Sequence, residues 1–375
     1  MLFRSDRVFV SGDFSVIGGN LQPRRQFAAL DTVNGEATEW NPGANSVADA
    51  MLLVGDTLYI GGDFTEVGGQ PRNYLASIDA ASGAMTSWDP NASWPVLAMA
   101  RSENTIYIGG IFNQVGQQRR GGIAAVDATT GAVTAWSAGT DPNLVEALLV
   151  SGNTVYVGGA FGQIGGQPRR SLAALDLVTG TAKAWNPTLT EWDVLNPRVK
   201  ALVMIDSVLF IGGSFGSVGG QPRICLAAVD TSSGLATDWD PGADGLVWSL
   251  AADANTIFVG GGFTRAGGLP AAGLAAFSLP SDPVPESVSF GLAQSVPNPA
   301  RSNAIIRFTL QQETPVTLSI YDVQGRRTAT LLSDAMLEPG IHSVPVLIDG
   351  WKPGIYFYRI AAGSKTAVRK MLVMP

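Results

Sequence analysis

Apolar and polar residues alternate in short runs along most of the chain, and clusters of glycine, proline, asparagine and aspartate separate the runs. A period of two over a few residues, bounded by turn formers, predicts half-buried β-strands. Four runs make one unit. Between Val47 and Pro90 they read VADAMLLVG, TLYIGGDF, NYLASIDA and AMTSWDP, here termed A to D.

The unit recurs. A Gly-x-Phe corner closes run B at Phe14, Phe64, Phe112, Phe161, Phe215 and Phe263, at spacings of 50, 48, 49, 54 and 48 residues. Between C and D a glycine returns at Gly35, Gly83, Gly131, Gly180 and Gly234, where it supplies the positive φ of a tight hairpin turn. Run D ends at Trp40, Trp88, Trp136, Trp185 and Trp239. Burying one indole, about 200 Å² at roughly 25 cal/mol per Å², contributes at most about 5 kcal/mol. A four-stranded unit with two apolar faces cannot bury both alone, so copies must stack. Radial stacking predicts an all-β fold, a β-propeller of about six four-stranded blades over residues 1–278. The first copy begins at B and lacks A; the sixth lacks a Trp-bearing D. A preceding segment upstream of Met1, supplying one D and one A, is expected to complete the ring.

Composition agrees with a turn-rich β protein: 46% of residues are hydrophobic, with 45 glycines and 22 prolines. No apolar run reaches the roughly 20 residues of a membrane-spanning helix, so no transmembrane segment is expected. Cys225 and His342 are single, which excludes an intrachain disulfide framework and most histidine-based catalytic or zinc arrangements. No metal and no cofactor is predicted. Up to position 283 there are 15 basic and 25 acidic residues, and beyond it 9 and 6. The acidic main body argues against a nucleic-acid partner. The opening MLFRSDRVFVSGDF runs into a strand pattern without the apolar segment of a signal peptide.

The hydrophobic-hydrophobic-Gly-Gly end of B and the Trp of D resemble kelch repeats. The fuller pattern GGxFxxVGGQPRxxLAxxDxxTGxxxxWxPG is more similar to the bacterial delta-60 type β-propeller repeat, over residues 8 to about 278. That resemblance implies a fold and leaves the ligand open.

A proline-rich break, LPSDPVPES, begins a linker over 279–289. Residues 290–375 then alternate again as a small immunoglobulin-like β-sandwich would. Asn298 and Pro299, the SIYDVQGRR run with Tyr321, Asp322 and Gly325, the KPGIYFYRI run with Gly354, Tyr356 and Tyr358, and the RKMLV ending with Lys370 resemble the C-terminal sorting domain of the type IX secretion system. The module is also similar to an immunoglobulin-like domain of flagellar hook-assembly proteins; position at the C-terminus favours the sorting reading. The resemblance implies the secretion machinery as partner and display outside a Gram-negative bacterium. It also implies an N-terminal export signal, a second reason to expect residues upstream of Met1.

The glycines of Gly61–Phe64 invite comparison with a phosphate loop. Such loops open a helix and are followed by Lys and Ser/Thr, and no copy has either, so a structural corner is expected. Arg24, Arg72, Arg119, Arg169 and Arg223 recur in the B–C loop, and Asp31, Asp79, Asp127, Asp176 and Asp230 recur at the end of C. Repetition in every blade points to blade geometry, such as guanidinium bonds to a carbonyl or carboxylate. Arg72, Arg169 and Arg223 stay on the candidate list because a ring of arginines could receive a carboxylated or sulfated glycan. Strand parity places the B–C and D–A loops at one end. The longest D–A loop, Asn186 to Arg198, brings Trp192 and Asp193, and Trp94 and Trp248 fall in the corresponding loops. Tryptophan beside carboxylate is a carbohydrate platform; packing between blades is the other reading. Paired carboxylates for glycoside hydrolysis could come from Glu191, Asp193, Asp141 or Asp244, and would need to sit about 5–10 Å apart. The first functional expectation is a secreted or surface-displayed binding or adhesion module for a glycan or surface protein, not an enzyme. A carbohydrate-active hydrolase or lyase and a structural envelope protein are the alternatives.

Overall fold

The computed structural model describes residues 2–4, 6–18, 21–141, 144–191, 196–279, 290–295, 298–301, 303–348 and 350–374. Among these the chain is all β, with no helix. It divides into two compact units, Met1–Leu279 and Pro280–Pro375.

Among the described residues the first unit holds six antiparallel sheets of three strands in the order A, B, C, with small sheets built on the B–C hairpins beside them. Sheet two is Ala48–Val54, Thr57–Gly62 and Leu75–Asp79. In sheet one the A place, expected to be empty, is taken by Leu2–Arg4, which folds back so that Leu2 pairs with Phe9 and Arg4 with Arg7. Consecutive A strands from sheet two to sheet six lie against one another. Among the described residues no strand pairing joins the sixth sheet to the first.

Run D is not a fourth strand. It leaves C after the bonds Asp79 N–H to Ala84 O (2.8 Å) and Thr86 N–H to Ser77 O (3.0 Å), with one bridge per copy in the first five, such as Ile78 opposite Met85. The reason is its tryptophan, which enters the space between its own sheet and the next. Trp88 Nε1 donates to Asp127 O of sheet three (3.0 Å) and meets Tyr59 of sheet two edge to face, centroids 5.0 Å apart. Trp40, Trp136 and Trp185 make the same two contacts, with Phe9, Tyr107 and Tyr156. Buried apolar clusters fill these spaces one after another, for example Leu75, Val96, Ile106, Ile108 and Phe112 between sheets two and three.

Close approach of the sheets depends on the first glycine of each B ending. A Cβ on Gly61 would fall 2.7 Å from Cγ1 of Val96, which starts the next A strand. Gly109 seats Val145, Gly158 seats Val199 and Gly212 seats Val247 in the same way. In sheet one Ser11 stands at this register, the facing knob shrinks to Ala48, and Ser11 Oγ accepts the Ala48 N–H at 2.8 Å. The B–C connection forms its own small hairpin, Glu66–Val67 with Gln70–Pro71, turned by Gly68 and Gly69 at φ of 60° and 70°. Two consecutive positive φ values define a type I′ turn, which glycine adopts without steric cost.

The second unit packs a three-stranded sheet, Gly291–Leu292, Asn303–Leu310 and Gly340–Leu347, against a four-stranded one, Arg327–Leu337, Thr314–Asp322, Gly354–Ala362 and Lys365–Val373. Ile306, Phe308, Leu318, Ile320, Tyr358, Ile360 and Met371 are fully buried between them.

Candidate functional site at the bulged strand ends

Five A strands carry a β-bulge at the same place. Their pairing with B skips one residue between Ala48 and Ala50, Val96 and Ala98, Val145 and Ala147, Val199 and Ala201, and Val247 and Ser249. A bulge leaves its extra residue unpaired and re-aims that side chain. The skipped residues are Asp49, Leu97, Glu146, Lys200 and Trp248, while the positions around them repeat Ala, Val, Leu and Met. Chemistry therefore varies at one register of an otherwise uniform strand, at the end where the D–A loops arrive.

Glu146 is the most enclosed of these, its side chain 7% exposed. It accepts from Arg198 Nε and, at 2.6 Å, from the Arg198 terminal nitrogen, and Lys200 Nζ lies 3.1 Å away. Two cations from sheet five thus hold one buried carboxylate of sheet four. Asp49 of sheet two touches solvent, yet the protein around it desolvates the carboxyl and pushes it up to about 6; the nearby Asp63 charge raises it further and Lys200 opposes both. The Lys200 charge on sheet five is felt by Asp49 on sheet two, three sheets away in the chain.

Trp94 and Trp248 are 55% and 56% exposed. Trp94 lies in a D–A connection, as expected, but Trp248 is the bulged residue of the strand Val247–Ala252. Trp192 and Asp193 lie outside the described residues. The arginines are held by backbone. Arg72, Arg169 and Arg223 donate to the carbonyls of Thr86 (3.1 Å), Lys183 (2.7 Å) and Thr237 (2.6 Å), and to the preceding proline carbonyls. Arg24 does the same to Thr38. In the third copy the residue in this place is Arg120, bonded to Thr134 O at 2.8 Å, and not Arg119, which is exposed. The third-copy loop reads QQRR where others read GQPR, and Arg119 stands where they have proline.

Asp79, Asp127, Asp176 and Asp230 cap the C–D turns, each accepting backbone N–H groups two and three residues on. Bonds from Ser232 and Ser233 bring the Asp230 carboxyl down to about 2. Among the candidate catalytic carboxylates, Asp244 accepts from Thr264 and Arg265, and Glu191 from Arg170 at 2.5 Å. Asp141 is in the short strand Thr140–Asp141. Asp49, Asp63, Glu146, Arg198 and Lys200 stand outside the repeated pattern, and a search for repetition passes over them. The second position of A, read across copies as Asp, Leu, Glu, Lys and Trp, was the available signal.

In the second unit the motif residues form local fastenings. Asn298 Oδ1 accepts the Leu372 N–H at 2.8 Å beside a cis Asn298–Pro299 bond. Asp322 caps its turn by accepting from Gln324 and Arg326, with Gly325 at φ 75°. Tyr356 Oη donates to Lys352 O at 2.9 Å, and Tyr358 Oη donates to Ala293 O at 2.8 Å while accepting the Ser295 N–H. Tyr321 pairs with Phe357, Gly354 opens its strand opposite Val373, and the Lys370 carbonyl accepts from Gln294 Nε2 at 2.6 Å.

No curated protein matches the chain. Solved structures similar to it include the computationally designed Ika8 protein, at 14% identity over 99% of this chain and 94% of that one with a TM-score of 0.43. The Pan2 WD40 domain of Neurospora crassa, at 14% identity over 63% and 68%, has a TM-score of 0.39. A glycoside hydrolase, at 9% identity over 87% and 96%, has 0.33. Residues 296–374 match the family described as the secretion system C-terminal sorting domain. The chain therefore carries a type IX secretion sorting domain at its C-terminal end, the mark of a secreted or cell-surface protein.

Proposed function

We propose that the chain is an exported binding module of the outer surface of a Gram-negative bacterium, with a propeller-type repeat body and a sorting domain that engages the secretion machinery. Its contact surface is the end where the bulged residues gather. The observation that carries this reading is the pair of exposed indoles, Trp94 and Trp248, at the same end as the charged residues Asp49, Asp63, Lys200 and Arg198. Flat aromatic faces beside groups able to bond hydroxyls suit a glycan, and a protein epitope is the second ligand class. A glycan and surface-protein array probed with the whole chain tests it. Saturable binding that falls at least tenfold in a Trp94→Ala/Trp248→Ala variant is expected; unchanged binding by that variant removes the site.

One observation favours a second reading, a secreted carbohydrate-active hydrolase. Burial pushes the Asp49 carboxyl up to about 6 and the nearby Asp63 adds to the rise, and a carboxyl raised in this way is what glycoside hydrolysis uses as its acid. Release of reducing ends from a polysaccharide panel, lost in Asp49→Asn, would establish it. Absence of release by wild type on every member would leave binding alone.

A further inference from the structure

In a sandwich of two antiparallel sheets, strand residues that point away from the core are expected to be polar. The four-stranded sheet of the second unit departs from that pattern. Arg327 pairs with Tyr321, Tyr321 with Phe357 and Phe357 with Lys370, so two aromatic side chains flanked by two cations form one row across all four strands. Residues paired in this way share a face. It is the outer one, because their neighbours along the strands, Ile320, Tyr356, Tyr358 and Met371, are buried in the core. Two residues to either side on the same face, Arg359 pairs with Val368 and Ile355 with Leu372. Phe357 is 37% exposed, Ile355 41% and Val368 55%.

The cations of this face differ from others in the unit. Arg326 is bonded to Asp322 at 2.8 Å, Arg369 Nε donates to Leu292 O at 3.1 Å, and Lys365 Nζ donates to Gln311 Oε1. Arg327, Arg359 and Lys370 are exposed and have no carboxylate partner among the described residues. No acidic residue stands in the rows they belong to. Exposed aromatic and aliphatic side chains set among unpaired arginine and lysine make the composition of a protein-binding surface whose partner is acidic. The outward positions of the three-stranded sheet, Ile305, Arg307, Ile341 and Leu347 among them, include no aromatic side chain.

We propose that this face, centred on Tyr321, Phe357, Arg359 and Lys370, is where the sorting domain docks on an acidic surface of the secretion machinery. The inference rests on the reading of residues 296–374 as a sorting domain that engages that machinery. Tyr321 and Phe357 supply the apolar centre of the contact. Arg327, Arg359 and Lys370 meet partner carboxylates around it, which steers the encounter and fixes the orientation. Tyr356 and Tyr358 act behind the face: their hydroxyls bond Lys352 O and Ala293 O and so hold the strand that carries Phe357 and Arg359.

The test is export of the whole chain, expressed behind an inner-membrane export signal in a Gram-negative bacterium that has the type IX system. The chain outside the cells is measured against the chain kept within. Phe357→Ser with Lys370→Glu and, separately, Arg359→Glu should each lower export at least tenfold, while Arg359→Lys keeps most of it. Ile341→Ser with Leu347→Ser, on the opposite sheet, should leave export unchanged. Melting curves of the purified variants confirm that each folds. Export of the first two variants at the wild-type level overturns the inference, and so does an equal loss in the variant of the opposite sheet, which would show only that the domain must be intact. Binding of the whole chain to anionic phospholipid vesicles that these variants lose, with export retained, also overturns it, because the face would then belong to a membrane. Retention of wild type inside the cells, or export of a chain ending at Leu279, would overturn the sorting reading itself and this inference with it.

Discussion

Val96 occupies the place where Gly61 would carry a side chain: a Cβ there would lie 2.7 Å from Val96 Cγ1 and 3.2 Å from its carbonyl oxygen. Backbone cannot yield as a flexible side chain can, so Gly61→Ala overpacks the space between sheets two and three. A cost of about 1–3 kcal/mol is expected from such overpacking. The first interface suggests the repair, since Ser11 faces Ala48 there. Gly61→Ser combined with Val96→Ala should recover part of the loss, whereas Gly260→Ala, meeting only the Ser249 hydroxyl, should stay within about 0.5 kcal/mol of wild type. Denaturant titration of the three variants and wild type checks the series, and an equal cost at Gly61 and Gly260 would refute it.

Arg120 and Arg119 are neighbours with different duties. Arg120 donates to Thr134 O, to Arg119 O and to Gln118 Oε1, while the Arg119 side chain is exposed. Removing a charged donor from a partly buried carbonyl costs about 1.5–3 kcal/mol. Arg120→Ala should therefore lower the midpoint of thermal unfolding by several degrees, and Arg119→Ala should leave it within about one degree. Reversal of that order would restore the sequence-based alignment.

Much of this architecture was legible because its signals are repeated: the Phe corners, the C–D glycines and the tryptophans each mark a place that every interface needs filled. What was not legible depends on single copies or on departure from a strand. Three residues, Leu2–Arg4, are too short for a periodic signal, yet they pair. Run D alternates as a strand does, but the space between sheets takes its tryptophan and leaves one bridge behind. The charged site hid for the opposite reason: Asp49, Glu146 and Lys200 differ from copy to copy, and only the bulge shows that they share a register.

Cys225 is fully buried, and burial pushes its thiol up to about 11 against an ordinary value near 9, with Asp244 adding to the rise. Reactivity follows the thiolate, and a thiol raised this far holds about a hundredfold less thiolate at a given pH, before access is considered. A chromogenic disulfide reagent at about pH 8 should leave the native chain unmodified over an hour and titrate one thiol per chain in denaturant. Rapid stoichiometric reaction of the native protein would contradict the burial.

Asp49 gives the stability a pH dependence of definite sign. Its folded value of about 6 lies above the ordinary 3.8, so between about pH 4 and 6 the folded chain holds a proton that the unfolded chain has released. Stability from this residue is accordingly lost as pH rises through that window, and the penalty is complete above about 6. Asp49→Asn removes the titration. Its midpoint should match wild type near pH 4 and exceed it near pH 7.5, provided melting is compared at constant ionic strength. Lys200 opposes the shift, so Lys200→Met should move the window to higher pH. An Asp49→Asn gain that is the same at both pH values, or larger at pH 4, would show that the carboxyl is not held in its neutral form by its surroundings.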